Sequence, residues 1–230
     1  MCSSSNNPSF GHQPLVFASG FFLLFFSKRF TLNAMRFHII TLFPDAFRSY
    51  LGESILKRAI EDKKIQVKFY NPRDFTADKH KRIDRAPYGG GPGMVIQAEP
   101  VIRAIEKAYP PIRSNGRIRN NTKIVWLTPS GKQFNTKIAN TYASKFTDII
   151  FVCGRYEGID ARVKKVIKYL LKIKIDEVSV GPFILTGGEL PAMLMIDSIS
   201  RQIEGVLGDI NSLEENRVAS PDVYTRPEVF

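Results

Sequence analysis

Three glycine-bracketed clusters carry most of the chemistry open to this sequence. In Pro87-Tyr-Gly-Gly-Gly-Pro-Gly-Met94, four of the five residues from 89 to 93 are glycine. Such a run lets a flat ligand approach the main chain. Arg73, Lys79, Lys81, Arg82 and Arg85 nearby tilt it toward a phosphate or base contact rather than a plain flexible loop. Cys153-Gly-Arg-Tyr-Glu-Gly-Ile-Asp160 presents Arg155, Tyr156 and Glu157 on a tight turn. It also reads as a helix start, with Glu157 and Asp160 facing the positive end of the helix dipole. In Val180-Gly-Pro-Phe-Ile-Leu-Thr-Gly-Gly-Glu-Leu-Pro191, apolar residues between glycines suit an adenine-sized ring held by backbone groups. A turn with buried hydrophobic residues accounts for that composition equally well.

Other chemistries lose support on inspection. Gly131-Lys132 looks like the end of a P-loop, but Trp126 stands where the first glycine belongs and Gln133 replaces the magnesium-binding hydroxyl. No G-x-G-x-x-G opens a helix, and no serine in a nucleophile-like setting has a histidine near it in sequence. Two cysteines, Cys2 and Cys153, and three scattered histidines, His12, His38 and His80, supply neither a disulfide framework nor metal-ligand spacing. A metal-free scaffold in a reducing, cytoplasmic setting is therefore expected. With 33 Lys+Arg against 22 Asp+Glu, the 230-residue chain carries a formal charge of +11, which suits an anionic partner such as nucleic acid. Its 43% hydrophobic and 24% charged residues exclude a wholly disordered, collagen-like or multi-pass membrane chain.

The elements that must position these clusters alternate. Strands are predicted at 36–42, 65–70, 123–127, 148–152 and 173–180. Helices are predicted after Pro44 (with Phe47, Leu51, Ile55, Leu56 and Ile60 on one face), near 99–108, and at 134–144, 160–171 and 189–203. Residues 71–97 read as a long loop, and 109–121 as a mobile basic loop. Such alternation implies an α/β fold, a mostly parallel sheet with helices on both faces. Ligands gather at the carboxyl ends of the strands in such sheets. There the turns 128–131, 154–158 and 181–188 can converge.

Residues 1–34 stand apart as an N-terminal extension outside the fold. The apolar run Leu15–Phe26 falls short of the ~20 residues of a spanning helix, and it lacks the basic front end of an export signal. The plain reading starts translation at Met35, with no membrane role; an export role is the alternative.

At the three clusters the chain resembles the bacterial TrmD-type tRNA (guanine-N1)-methyltransferases of the SPOUT class. The resemblance runs from Met35 to Phe230 and rests on Leu42-Phe-Pro44, Pro72-Arg-Asp-Phe75, the Tyr-Gly-Gly-Gly-Pro-Gly-Met run, Gly154-Arg-Tyr-Glu-Gly-Ile-Asp160, Gly187-Gly-Glu-Leu-Pro191 and Tyr224-Thr-Arg-Pro-Glu228. It implies a sheet threaded into a deep trefoil knot, a homodimer whose sites draw on both chains, S-adenosylmethionine as cofactor with Mg2+ as a further candidate, and tRNA as substrate. The implied reaction is methylation of guanine N1 at position 37, just 3′ of the anticodon. By resemblance the cofactor pocket comprises Trp126, Leu127, Thr128, Pro129 and Gly131; Gly154, Arg155, Tyr156 and Gly158; and Val180, Gly181, Pro182, Phe183, Ile184, Leu185, Thr186, Gly187 and Gly188. Arg201 matches an arginine that stabilises charge on guanine O6, Glu157 a residue that recognises the guanine, and Pro92 and Gly93 a loop that receives the flipped base.

Three departures from the family pattern stand out. A gapless count puts Asn216 where the family has its general-base Asp; Glu214, Glu215 and Asp222 are substitutes, with Asp222 preferred because it lies close to the Tyr224-Thr-Arg-Pro227 block. Residues 35–203 form the methyltransferase domain and 204–230 a linker, after which the family's C-terminal tRNA-binding domain is expected to be missing. A small insertion between Arg162 and Val180 is rich in lysine (Lys164, Lys165, Lys168 and Lys172), either a solvated face or an extra RNA contact. A non-catalytic RNA- or cofactor-binding remnant is the alternative function.

Overall fold

The computed structural model describes residues 34–109, 121–208 and 225–226. The expectations for residues 1–33, the basic loop 110–120, Asn216, Glu214, Glu215, Asp222 and Tyr224 lie outside the described residues. Five strands form one sheet: β1 (Met35–Ile40), β2 (Ile65–Tyr70), β5 (Thr122–Gln133), β6 (Asp148–Val152) and β7 (Ile175–Ser179). Their order is β2-β1-β6-β5-β7, and every pair is parallel. A separate two-stranded antiparallel ribbon pairs β3 (Asp84–Arg85) with β4 (Val95–Ile96). The sequence offers no signal for it inside the long 71–97 stretch.

Alternation along the strands decides which helices cover which face. Phe37, Ile39, Ile149 and Phe151 pack on one side with α1 (Arg48–Leu51), α2 (Ser54–Glu61), α4 (Thr136–Lys145) and α6 (Glu189–Ser200). Ile40, Ile124, Ile150 and Val152 face the other way, against α3 (Ala98–Ala108) and α5 (Arg162–Leu171). The central strand β6 is buried along its whole length, its apolar run Ile149–Val152 covered on both faces as in a central parallel strand and Asp148 buried at its start.

Two expectations change. The single helix after Pro44 is three pieces: a 3-10 turn at Pro44–Phe47, then α1, then α2. Gly52 and Glu53 interrupt it and Ser54 has φ +51°. Phe47, Leu51 and Leu56 still face the core, whereas Ile55 turns outward. The turn expected at 128–131 does not end its strand. Leu127 and Lys132 both pair with Val178, so the four residues between them loop out while β5 resumes.

Candidate functional site

The carboxyl ends of β5, β6 and β7 open onto a cavity of about 370 Å3, within the size range of small-molecule sites. Its wall comprises the β5 bulge (Trp126, Leu127, Thr128 and Pro129), the turn after β6 (residues 154–159) and the segment after β7 (Val178–Val180 and Phe183–Gly188), closed by Pro191 at the start of α6. Of the residues expected to form the cofactor pocket, all but Gly131, Gly181 and Pro182 line it. Gly131 lies against the β7 backbone, where a Cβ would come within 2.5 Å of Val178 N. Gly181 sits beneath the Phe183 ring. Pro182 is exposed. Ile159, Val178, Ser179 and Pro191 are further lining residues that sequence reasoning missed.

What closes the cavity is a long return of the chain. β7 is an edge strand, separated from β6 by β5, so residues 180–188 must travel roughly 10 Å sideways, two strand spacings. They end against the turn after β6. Gly188 N donates to Gly154 O at 3.0 Å, and Arg155 forms an isolated bridge with Gly187. A Cβ on Gly188 would lie 2.6 Å from Cys153 Cα, so only glycine admits this approach.

Beneath that contact is a charge pair whose carboxylate is buried and whose guanidinium is half-buried. Glu189, the first residue of α6, accepts from Thr41 Oγ1 at 2.8 Å and from Arg155 Nε at 2.9 Å. The Arg155 guanidinium also lies 4.6 Å from the centroid of the Phe43 ring. The arginine at the pocket is therefore held and neutralised from behind rather than left as a free cation. Burial pushes the Cys153 thiol up, and the Glu189 charge adds to it, which keeps this core cysteine, just behind the cavity, unreactive. The sequence shows Thr41, Phe43, Arg155 and Glu189 only as separate motifs; the Leu42-Phe-Pro44 and Gly187-Gly-Glu-Leu-Pro191 blocks were the available signals.

The Pro87–Met94 loop is tied to the same turn. Ile96 N donates to Gly158 O at 3.0 Å, Glu157 N to Met94 O at 3.1 Å and Asp160 N to Ile96 O at 3.0 Å. Gly93 has φ +84°, and a side chain there would collide with the Glu157 carboxylate. Glu157 thus borders both the cavity and the glycine-rich loop. Arg201 does not join them. It caps the far end of α6, twelve residues beyond Glu189, or about 18 Å along the helix. It is absent from the lining of the cavity.

The outward side of α6 is unusual. Ala192, Met195, Ile196 and Ile199 fill the core, yet Leu190 and Leu194 are exposed on the other side, with Phe43 and Tyr50 also exposed. Tyr50 donates to Asp197, and this bond, then burial, pushes its phenol up to about 12. Among the described residues no helix is long and apolar enough to cross a membrane.

Residues 35–230 match the family described as tRNA (Guanine-1)-methyltransferase TrmD. The chain is similar to proteins named tRNA (guanine-N(1)-)-methyltransferase from several bacteria. It is 48% identical over 201 residues to that of Clostridioides difficile, covering 85% of this chain and 81% of the relative. Identity is 47% over 200 residues to that of Caldanaerobacter subterraneus, covering 85% and 76%. For the Campylobacter jejuni subsp. doylei protein it is 44% over 201 residues, covering 85% and 80%.

Proposed function

The chain belongs to the TrmD family of tRNA (guanine-1)-methyltransferases, and on that premise we propose how it methylates N1 of a tRNA guanine. The cavity holds S-adenosylmethionine, and the target base, position 37 flipped out of the anticodon loop, enters past Pro92 and Gly93. The observation that carries this reading is the backbone pairing of residues 94–96 with 157–160, which joins the loop for the base to the wall of the cofactor cavity.

The residues present fit the cofactor. Gly187 and Gly188 line the cavity and bring its wall close because neither has a Cβ to collide with Arg155 or Cys153, Leu127, Val180 and Leu185 offer apolar surface for an adenine, and the pairing of Arg155 with Glu189 removes a charge that would repel a sulfonium. When bound, S-adenosylmethionine supplies an electrophilic methyl group. The protein must do the rest. Guanine N1 carries a proton at neutral pH, so a base has to take it; we assign this to the carboxylate of Asp222. Arg201 faces the negative charge that gathers on O6, and Glu157 accepts from the guanine edge. Among the described residues no group of three or more His, Cys, Asp or Glu comes together as a metal site, and no step is assigned to Mg2+.

Arg201 lies ten residues, about 15 Å, along α6 from Pro191 at the edge of the cavity, so the site is completed across a homodimer, with the arginine supplied by the partner subunit. The exposed Leu190 and Leu194 support this: a helix apolar on both sides calls for cover on both. The return of residues 180–188 across the end of β5 is read as the family's deep trefoil knot. Residues 35–203 form the methyltransferase domain and 204–230 the linker.

The test is methyl transfer from radiolabelled S-adenosylmethionine to an unmodified transcript with guanine at position 37, followed by nucleoside analysis. 1-Methylguanosine is expected, and its loss in Arg201→Ala and in a transcript with adenine at 37. Cofactor binding without 1-methylguanosine overturns the catalytic reading in favour of a non-catalytic binding protein.

A further inference from the structure

One face of α5 has no part in the chemistry above. Of the thirteen residues 162–174, six are Lys or Arg and none is Asp or Glu. Val163 and Ile167 anchor the helix in the core. Lys164 is half-buried and already engaged: its Nζ donates to Glu177 at 2.9 Å and lies over the Trp126 ring. Lys165, Lys168 and Lys172 are exposed. Their spacings of three and four put them in one stripe, beside Tyr169, which is 82% exposed.

A face kept only for solubility intersperses both signs of charge. This one sets like charges side by side, which weakens an isolated helix, and it exposes an aromatic ring. The helix also has a position that gives the charge a use. Arg162 and Val166 at its start line a groove of about 1170 Å3 together with Arg85, Tyr88 and Arg103, where Arg162 is paired with Asp160 and Arg103 with Glu99. That groove abuts the glycine-rich loop. The cationic stripe therefore leads away from the place where the target base would enter.

We propose that Lys165, Lys168, Tyr169 and Lys172 form an RNA contact that grips the tRNA backbone flanking the target guanine. The lysines neutralise phosphates, and Tyr169 stacks on an unpaired base. This rests on the reading of the chain as a tRNA methyltransferase. A membrane surface is the weaker fit, because an interfacial helix buries a continuous apolar face in lipid, whereas Val163 and Ile167 of α5 are packed in the core and its outward apolar residues Val166, Tyr169 and Leu170 are interleaved with Lys165 and Lys168.

The experiment compares tRNA binding by the full chain with that of the triple variant Lys165→Ala/Lys168→Ala/Lys172→Ala. A control of equal charge change, Lys57→Ala/Lys137→Ala/Lys145→Ala, sits on α2 and α4 across the sheet. Binding is measured from 50 to 200 mM salt, with S-adenosylhomocysteine titration as the check on folding. The α5 variant should bind tRNA about ten-fold or more weakly, with a log–log salt slope less negative by roughly 2–3, near one unit for each phosphate left without its lysine. Cofactor affinity should not change, and the control should stay within about two-fold. Equal losses in both triples reduce the stripe to overall charge, and an unchanged tRNA affinity makes it a solvated face; either overturns the proposal. So does a loss confined to vesicles containing phosphatidylserine. Failure of the methyltransferase reading is separate and shows as no 1-methylguanosine from the wild-type chain. If the α5 triple alone then still weakens tRNA binding, the RNA contact stands; if the wild-type chain binds no tRNA, it falls.

Discussion

Replacing Gly188 with alanine tests the closure of the pocket at a single atom. The new Cβ would sit 2.6 Å from Cys153 Cα, 3.0 Å from Cys153 Cβ and 3.1 Å from Gly154 N, where ordinary contact begins at 3.4 Å. The nearest of these is a backbone atom and cannot swing aside, so the start of α6 or the turn after β6 must retreat by close to an ångström. Overpacking of this kind costs about 1–3 kcal/mol. The strain falls on the Gly188 N to Gly154 O bond and the Arg155–Gly187 bridge that shape the cavity floor. At ~1.4 kcal/mol per decade, affinity for S-adenosylhomocysteine should drop by about 5- to 150-fold in a calorimetric titration, with a fall of a few degrees in Tm. Gly208→Ala is the control, because nothing lies within 4 Å of its Cβ, and it should bind normally. Wild-type affinity in Gly188→Ala would refute both the close approach and the assignment of the cofactor to this bend.

Further expectations follow from the charges and the exposed helix. Glu189→Gln keeps the shape of the buried acceptor but leaves Arg155 uncompensated; a unit charge ~10 Å away at an effective dielectric near 20 costs about 1.7 kcal/mol. The cationic S-adenosylmethionine should therefore lose roughly ten-fold more affinity than the neutral S-adenosylhomocysteine, and equal losses would count against the charge argument. Asp148 is buried under Arg36, His38 and Thr147. Burial alone would raise its pKa, but these bonds outweigh it and hold the carboxyl well below the usual range near 3.8. A depressed pKa contributes stability above the unfolded value that is lost as pH falls toward the folded one. Acid unfolding should thus steepen below about pH 4, and Asp148→Ala should cost about 3–5 kcal/mol at neutral pH in denaturant melts by stranding Arg36. Leu194→Asp should yield monomers by sedimentation that still bind cofactor but transfer no methyl; an unchanged dimer would contradict the role given to α6. Mixing inactive Glu157→Ala and Arg201→Ala chains should restore about a quarter of the wild-type sites if each site draws on two chains, and none if it does not.

Much of this protein is written in short-range patterns. Strand–helix alternation, the apolar run of β6 and glycine at three strand ends are local signals. Each follows from backbone geometry or periodicity, so the parallel sheet and the three pocket turns are legible without coordinates. The lysines of α5 are legible too, as a charge run, though not which of them faces outward. Local propensity ran out where neighbours in space are strangers in sequence. The helix after Pro44 broke at Gly52 although its periodicity continues, and β5 resumed beyond a bulge that reads as a terminating turn.

Tertiary structure alone placed Glu189 against Thr41 and Arg155, partners 148 and 34 residues away. It also set Asp148 under Arg36, 112 residues distant. Such pairings depend on strand order, with β6 between β1 and β5, and no periodicity encodes that order. The same holds for Arg201. Its residue type marks it as a charge stabiliser by resemblance, but helix length decides that it lies far from the cavity of its own chain. Composition determines which groups exist and which local shapes they favour; only the folded chain determines which of them meet, because burial and charge pairing act through space.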